Sequence, residues 1–452
     1  MHDTAAHVPP APPAAPPVRV GVVLTAHILY TLLNALLFTN MFWLMPMLVR
    51  LRFGSDDPTW RDWQTTLVTA AVPIFMMLSI FWHELLRRTT FRTYLIVFWL
   101  VGVLPLGCVA LAQSFWQMFA CHVVATIGLG GQAPVNGKLL KHFYADAVRG
   151  RVYALLNVVA LASSIASIYL FGVWVEADHD AFRVYFPVAA GLQLVGIALL
   201  LWLAQHTRLD AERPASQPPA WSDLLKPILH MGAVLRADRT FLRYERAFMT
   251  YGAAYMLCDA LLPVLGTELG LRYEDYAHST QVVTKLVTLV ATLPMGWLMD
   301  RVGAVRTSGI AFAVLALYPA LLLTARGTVG IGVASVAYGL GLAGVQMGWM
   351  LGPVNLAGTP DKVPQYVAIH ATLVGVRGVI FQGLGMLLYK LTGSFTWPLI
   401  AAAAAFLWAA IQMDRLQGAL RQQAATATPP SPPRPVATTI RAASGSERIE
   451  GA

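Results

Sequence analysis

Twelve apolar runs, each about as long as a bilayer is thick, recur along the 452 residues and restrict this chain more than any motif it carries. They lie at about residues 18–49, 63–82, 92–112, 115–140, 151–175, 183–204, 244–267, 276–299, 304–324, 328–356, 365–391 and 396–413. Roughly 20 consecutive apolar residues cross the hydrocarbon core as a helix, so the pattern predicts an all-α integral membrane protein with twelve transmembrane helices. Pro73, Pro105, Gly128, Pro263, Pro294 and Pro353 lie inside the runs. They would be costly in soluble helices and are tolerated where neighbouring helices re-satisfy the backbone. Composition agrees: 57% of residues are hydrophobic and 12% are charged, against about 25% charged in an ordinary soluble domain. A water-soluble enzyme with a polar surface is excluded. The three cysteines, Cys108, Cys121 and Cys258, all sit in apolar runs and are odd in number, which leaves neither a disulfide framework nor a CxxC metal site.

Lysine and arginine set the orientation, because positive loops stay on the cytoplasmic side. Even-numbered connections hold sixteen of them, including Arg87, Arg88, Arg92, Lys138, Lys141, Arg149, Arg151 and the six between Arg208 and Arg243. Odd-numbered connections hold seven (Arg50, Arg52, Arg61, Arg183, Arg272, Arg326 and Lys390) beside Asp56, Asp57, Asp62, Glu176, Asp178 and Asp180. Both termini are therefore expected in the cytoplasm, with a bacterial inner membrane as the location. The net charge of +9 is scattered over loops rather than gathered into a patch, so nucleic acid is not an expected partner. Residues 1–17 are Ala/Pro-rich and have no basic n-region, which reads as a disordered cytoplasmic tail and not a signal peptide. A six-helix bundle over 18–204 follows, then a cytoplasmic linker over 205–243, a second six-helix bundle over 244–414 and a disordered tail over 415–452. Within the linker, Leu224, Leu225, Ile228, Leu229 and Leu235 recur at helical spacing and predict an interfacial helix over Trp221–Leu235.

The two halves resemble each other. Pro134-Val135-Asn136 recurs as Pro353-Val354-Asn355, Trp82 with Arg92-Thr93 as Trp297 with Arg306-Thr307, and Asp146-Ala147-Val148 as Asp361-Lys362-Val363, at offsets of 219, 215, 214 and 215 positions. Weak symmetry between two six-span halves is the mark of a secondary transporter with a site at the membrane midplane. The run Gly296-Trp297-Leu298-Met299-Asp300-Arg301-Val302-Gly303-Ala304-Val305-Arg306 is similar to the G-x-L-x-D-R-x-G-x-x-R loop of the major facilitator superfamily. The resemblance covers nearly the whole chain in span count, six-plus-six division and cytoplasmic termini, and implies transport by alternating access. The matching N-terminal loop, Trp82 to Arg88, lacks the glycines; span four has Val124 where many proton-coupled members carry Arg; and span five lacks the Gly-Pro pair of drug antiporters. Asp300, Arg301 and Arg306 are the expected gating residues, forming a latch that breaks and remakes as the cytoplasmic side opens.

Ionisable groups deep in hydrocarbon are expensive and mark function. Asp259 is the one carboxylate well inside a predicted span and the expected ion-coupling residue, with Lys285 at similar depth in span eight as its expected partner. At 100° per residue, His278, Gln281, Lys285, Thr288 and Thr292 share one helix sector, which predicts a stripe facing water or substrate. Span eleven places His370 and Arg377 on one face, Arg377 near the midplane, where a guanidinium seeks either a carboxylate, phosphate or sulfonate on the substrate or a structural partner such as a carbonyl or Asp259. Ala371, Gly375, Gly378, Gln382 and Gly385 form a separate small-residue stripe suited to close helix packing. The N-terminal half offers neutral groups for an opposite wall: His27, Thr31 and Asn34 in span one, His122 and Thr126 in span four, and Tyr153, Asn157, Ser164 and Ser167 in span five. Arg377, Lys285, His370, Gln281, His278, Asn34 and Asn157 are thus the expected substrate contacts.

Two interior cations against one interior anion favour an anionic cargo. The expectation is a monomeric secondary active transporter, without a cofactor, that carries a small polar anionic metabolite in symport with a proton. Met41 with Met45, Met295 with Met299, and Met249 and Met256 with Cys258 have the spacing that Cu(I) accepts, although 16 methionines in so apolar a chain supply such pairs by chance. A copper or drug carrier, or a non-transporting membrane protein on the same fold, are the alternatives. No nucleophile–base set, phosphate loop or metal cluster in the sequence points to an enzyme.

Overall fold

The computed structural model describes residues 20–144, 146–207, 209, 226–357 and 362–426. Among these the chain is helical nearly throughout, with no strand. The expected tail over 1–17, much of the linker and the chain beyond 426 lie outside the described residues. Ten described stretches are long and apolar enough to cross a membrane: Val20–Phe53, Phe91–Leu111, Phe115–Leu140, Val152–Ala177, Phe182–His206, Arg239–Glu268, Tyr273–Thr324, Gly327–Pro353, Ile369–Thr392 and Thr396–Gln423.

Tyr273–Thr324 has 52 residues, which as one straight helix would be roughly 78 Å long, more than twice the hydrocarbon thickness of about 30 Å. It turns instead at Gly303, where φ is 81° and ψ 165°, a region that only glycine enters readily. Spans eight and nine are therefore two helices joined by a tight turn. Span two is Pro58–Met76 followed by Ser79–Arg88. Asp57 starts it by accepting hydrogen bonds from the N–H groups of Thr59 and Trp60, at 3.0 and 3.3 Å, with Pro58 in the first turn. Arg61, Asp62, Gln64, Thr65 and Thr66 make its first half polar. Among the described residues, each of the twelve apolar runs lies mainly on helix.

Some bounds move. Span seven starts at Arg239, capped by Asp238, which accepts from the N–H groups of Thr240 and Phe241 at 2.9 Å. This is earlier than the predicted start at 244, because Arg239 and Arg243 end an apolar run without ending a helix. Of the helix predicted over Trp221–Leu235, residues 221–225 lie outside the described residues and a helix runs over Lys226–Ala237, while span twelve continues to Thr426.

Apolar side chains cover the outside of the molecule; Leu293 is 82% and Val329 79% exposed. Acyl chains are the solvent that makes such a surface cheap. Span seven differs: 72% of its most apolar window is buried, against 33–50% for the other nine. It packs Tyr251 flat against Phe312 of span nine at 4.7 Å and lies beside span eleven. Between the halves, spans two and eleven meet where Gly375 and Gly378 face Met77 and Pro73. A Cβ on Gly378 would stand 2.4 Å from that of Pro73, so the small-residue stripe serves close packing.

Candidate functional site

Between the halves lies a cavity of about 350 Å³, at the small end of the ligand-pocket range of roughly 300–1,000 Å³. Phe42, Thr69, Pro73 and His122 come from the N-terminal half, and Tyr255, Asp259, Gln281, Lys285, Tyr318 and Tyr338 from the C-terminal half. A few polar groups thus converge on an aromatic wall. Asp259 accepts hydrogen bonds from the Tyr255 hydroxyl at 3.1 Å and from Gln382 Nε2 at 2.9 Å. The same amide nitrogen lies 3.5 Å from the Thr69 carbonyl, so the carboxylate is linked through one side chain to the opposite half. Lys285 lines this cavity with no hydrogen-bond or ion-pair partner among the described residues. The expected Asp259–Lys285 ion pair is not formed, since Tyr255 and Gln382 hold the carboxylate instead.

Arg377 and His370 are not part of the described cavity lining. They lie behind it, between spans seven and eleven. Arg377 donates to the Phe248 carbonyl at 2.6 Å, its guanidinium carbon 5.3 Å from the Tyr251 ring centre. Gly252 makes that approach fit, because a Cβ there would stand 2.0 Å from the guanidinium carbon. His370 Nδ1 is 2.9 and 3.0 Å from the two carboxylate oxygens of Glu245, and both residues are buried. Glu245 escaped the sequence reading because it opens the predicted run at 244, where a carboxylate reads as interfacial. The earlier helix start places it further along the helix.

The remaining predicted contacts divide. Gln281 is at the cavity with Lys285. His278 stacks on Tyr169 of span five at 4.5 Å, its Nε2 3.0 Å from the Tyr169 carbonyl oxygen, and Thr288 donates to the Thr284 and Gly339 carbonyls at 2.8 and 3.2 Å. The predicted stripe breaks up because Ala277–Val282 is π-helical, and the wider turn changes the phase assumed at 100° per residue. Asn34 is buried and accepts from Gln193 Nε2 at 2.8 Å, while Asn157 is exposed on span five. Asp300, Arg301 and Arg306 are exposed at the turn between spans eight and nine, Arg301 lying 3.6 Å over the Trp297 ring. No ion pair involves Asp300 among the described residues.

Charges counted in the sequence only as loop residues form a second cluster, at the end carrying the odd-numbered connections. Asp62, buried, accepts from Arg50 of its own half and from Lys390 of span eleven. Arg50 Nε also donates to Thr267 Oγ1 at 2.9 Å, and Arg272 pairs with Glu176 at 2.6 Å. These contacts tie the halves together at that end.

Two groups of membrane helices closing on a small polar cavity are the architecture of a secondary transporter. The chain belongs to the Major Facilitator Superfamily, a family of membrane transporters, whose family model matches residues 28–359. A curated relative, the gentisate transporter of Corynebacterium glutamicum, is 23% identical over 278 residues, 56% of this chain and 60% of that one. The chain thus spans about 60% of the length of that relative. Among solved structures, a POT family transporter in complex with 5-aminolevulinic acid superimposes with a TM-score of 0.67 at 12% identity, over 89% of this chain and 95% of that one. A bacterial homologue of the human drug peptide transporters gives 0.65 at 15% identity, over 90% and 100%. The nucleoside transporter NupG gives 0.61 at 13%, over 89% and 98%. At these identities the likeness is one of fold.

Proposed function

We propose that this chain is a secondary carrier that moves a small organic anion through the inter-half cavity by alternating access, with Lys285 as the anion contact and Asp259 as the proton-coupling carboxylate. The observation that carries the reading is the uneven pairing inside one cavity. Asp259 is held by Tyr255 and Gln382, whereas Lys285 borders the same space without a partner among the described residues. An ammonium removed from water requires a counter-charge, and a substrate carboxylate supplies one. Tyr255, Tyr318 and Tyr338 offer apolar faces for the body of such a substrate, and gentisate, for which the curated relative is named, is an aromatic carboxylate.

The Gln382 bridge supports proton coupling. Ionised Asp259 accepts the Gln382 amide. A proton on that carboxylate turns one of its oxygens into a donor, loosens the amide and weakens its reach to Thr69 in the other half. Arg377, His370 and Glu245 stiffen span seven against span eleven behind the cavity, and Asp300, Arg301 and Arg306 gate the opposite, cytoplasmic end. The lysine and arginine bias supports cytoplasmic termini in a bacterial inner-membrane protein, which we propose works as a monomer.

Thermal-shift screening of carboxylic acids on the purified protein identifies a ligand by its stabilisation of the folded state, and proteoliposomes then measure its flux. Lys285→Ala should lower uptake at least about tenfold, a loss of about 1.4 kcal/mol. Asp259→Asn should retain exchange of labelled for unlabelled substrate but lose accumulation driven by a pH gradient. Unchanged uptake in Lys285→Ala removes the anion site, and gradient-driven accumulation in Asp259→Asn removes the coupling role.

A further inference from the structure

We infer that the N-terminal half reads a hydroxyl group on the carried molecule through Nδ1 of His122, so that the substrate is a hydroxy acid held between His122 on one wall and Lys285 on the other. This rests on the reading of Lys285 as the anion contact and adds what the opposite half recognises.

His122, in span four, is 1% exposed and lines the cavity together with Val68 of span two. Its Nε2 lies 3.0 Å from the Val68 carbonyl oxygen. A carbonyl only accepts, so Nε2 carries the ring proton, and in the neutral imidazole Nδ1 is left with a lone pair. That atom is buried and has no partner among the described residues. A buried acceptor without a donor costs about 1–3 kcal/mol, and the large majority of buried side-chain polar atoms in folded proteins are satisfied by protein or water.

Several donors along the cavity are committed elsewhere. On the same wall, the Thr69 hydroxyl donates to the Thr66 carbonyl at 3.1 Å. Across the cavity, the Tyr255 hydroxyl and the Gln382 amide donate to Asp259, and the Thr280 hydroxyl to the Tyr276 carbonyl. With those donors committed, a donor on the cargo fits Nδ1. An ammonium group on the cargo would be repelled by Lys285 in the same small cavity, which leaves a neutral hydroxyl. Each half of the carrier then holds one group of the substrate, and the N-terminal half, which offers the cavity no charged side chain, selects by a hydrogen bond.

The test uses isothermal titration of the purified full-length protein with matched acids that differ by a hydroxyl: benzoate against 3-hydroxybenzoate and 2,5-dihydroxybenzoate, and propionate against lactate. At least one hydroxylated member should bind about tenfold tighter than its parent, the gain of one well-made hydrogen bond. In His122→Gln the amide nitrogen still reaches the Val68 carbonyl, but no acceptor stands where Nδ1 was. The ratio should fall to about one by the loss of that single bond. His122→Asn, whose Oδ1 takes the place of Nδ1, should retain part of the ratio.

A wild-type ratio of one for every pair overturns the inference without needing any variant. So does a ratio that survives in His122→Gln, or a His122→Gln protein that loses affinity for parent and hydroxylated acid alike, since His122 would then touch the carboxylate. Lys285→Ala separates the two layers: loss of affinity for both members of a pair keeps the anion site even where the hydroxyl reading fails. Failure of every acid to bind, or binding indifferent to Lys285→Ala, removes both.

Discussion

Arg377 shows how one side chain can dictate its neighbour's identity across two helices. Its guanidinium reaches the Phe248 carbonyl only because the adjacent Gly252 leaves the space open. Gly252→Ala would drive the buried guanidinium off that carbonyl, an overpacking cost of about 1–3 kcal/mol that should appear as a lower Tm in detergent. Gly137, also helical but with no atom within 4 Å of the place a Cβ would take, is the control: Gly137→Ala should hold or gain about 0.5–1 kcal/mol. An equal effect at the two positions would show that the Arg377 contact contributes nothing. The depth of Arg377 was legible in the sequence, because a guanidinium inside an apolar run stands out. Its acceptor was not, since any backbone carbonyl on a neighbouring helix would serve and spacing encodes none of them. His122 was legible only as one of several neutral polar groups, because the bond that fixes its tautomer is made to the main chain of another span.

At the level of helices, length and apolar content were legible in the sequence, and ten described stretches are long and apolar enough to cross a membrane, because burial in lipid demands an apolar stretch whatever its neighbours are. Departures from ideal helix geometry were hidden. The π-helical turn at Ala277–Val282 separates His278 from Lys285, although an ideal helix would align them. Gly303 is the opposite case, a motif glycine whose purpose the backbone explains. Its φ of 81° breaks a 52-residue helical stretch into two spans. No atom lies within 4 Å of the position its Cβ would occupy, so backbone strain is the whole penalty of a substitution. Gly303→Ala should cost about 1–3 kcal/mol, measured as reduced thermal stability and reduced yield of folded protein. Wild-type stability in that variant would show that the turn tolerates an ordinary residue and that the motif glycine has another purpose.

For the molecule as a whole, alternating access requires contacts that exist in one state and not in the other. The odd end has ion pairs within one half and ion pairs between the halves, and only the latter can bias that equilibrium. Arg183, by a hydrogen bond of 2.7 Å, and Arg52 hold the Asp180 carboxyl below the usual carboxylate range. That stabilisation is present at neutral pH and is lost as pH falls through the lowered value. Being exposed and confined to the N-terminal half, such pairs contribute about 0–1 kcal/mol and do not distinguish the two states. Asp62 is buried and joins Arg50 in its own half to Lys390 in the other. Asp62→Asn would strand Arg50 and Lys390, at a cost of roughly 3–5 kcal/mol to the fold itself, and so confounds stability with gating. Lys390→Met leaves the Asp62–Arg50 pair intact and removes only the bond between halves. It should shift the equilibrium toward an open odd end on the order of tenfold, about 1.4 kcal/mol. The readout is the rate at which a membrane-impermeant thiol reagent, added from the odd-loop side, labels Leu262→Cys at the cavity wall, with Cys108, Cys121 and Cys258 replaced by alanine. Arg52→Ala should leave that rate unchanged. Equal labelling in Lys390→Met and the parent would mean that the Asp62 contact closes nothing, and that the Arg272–Glu176 pair and the Arg50–Thr267 bond suffice to hold the end shut.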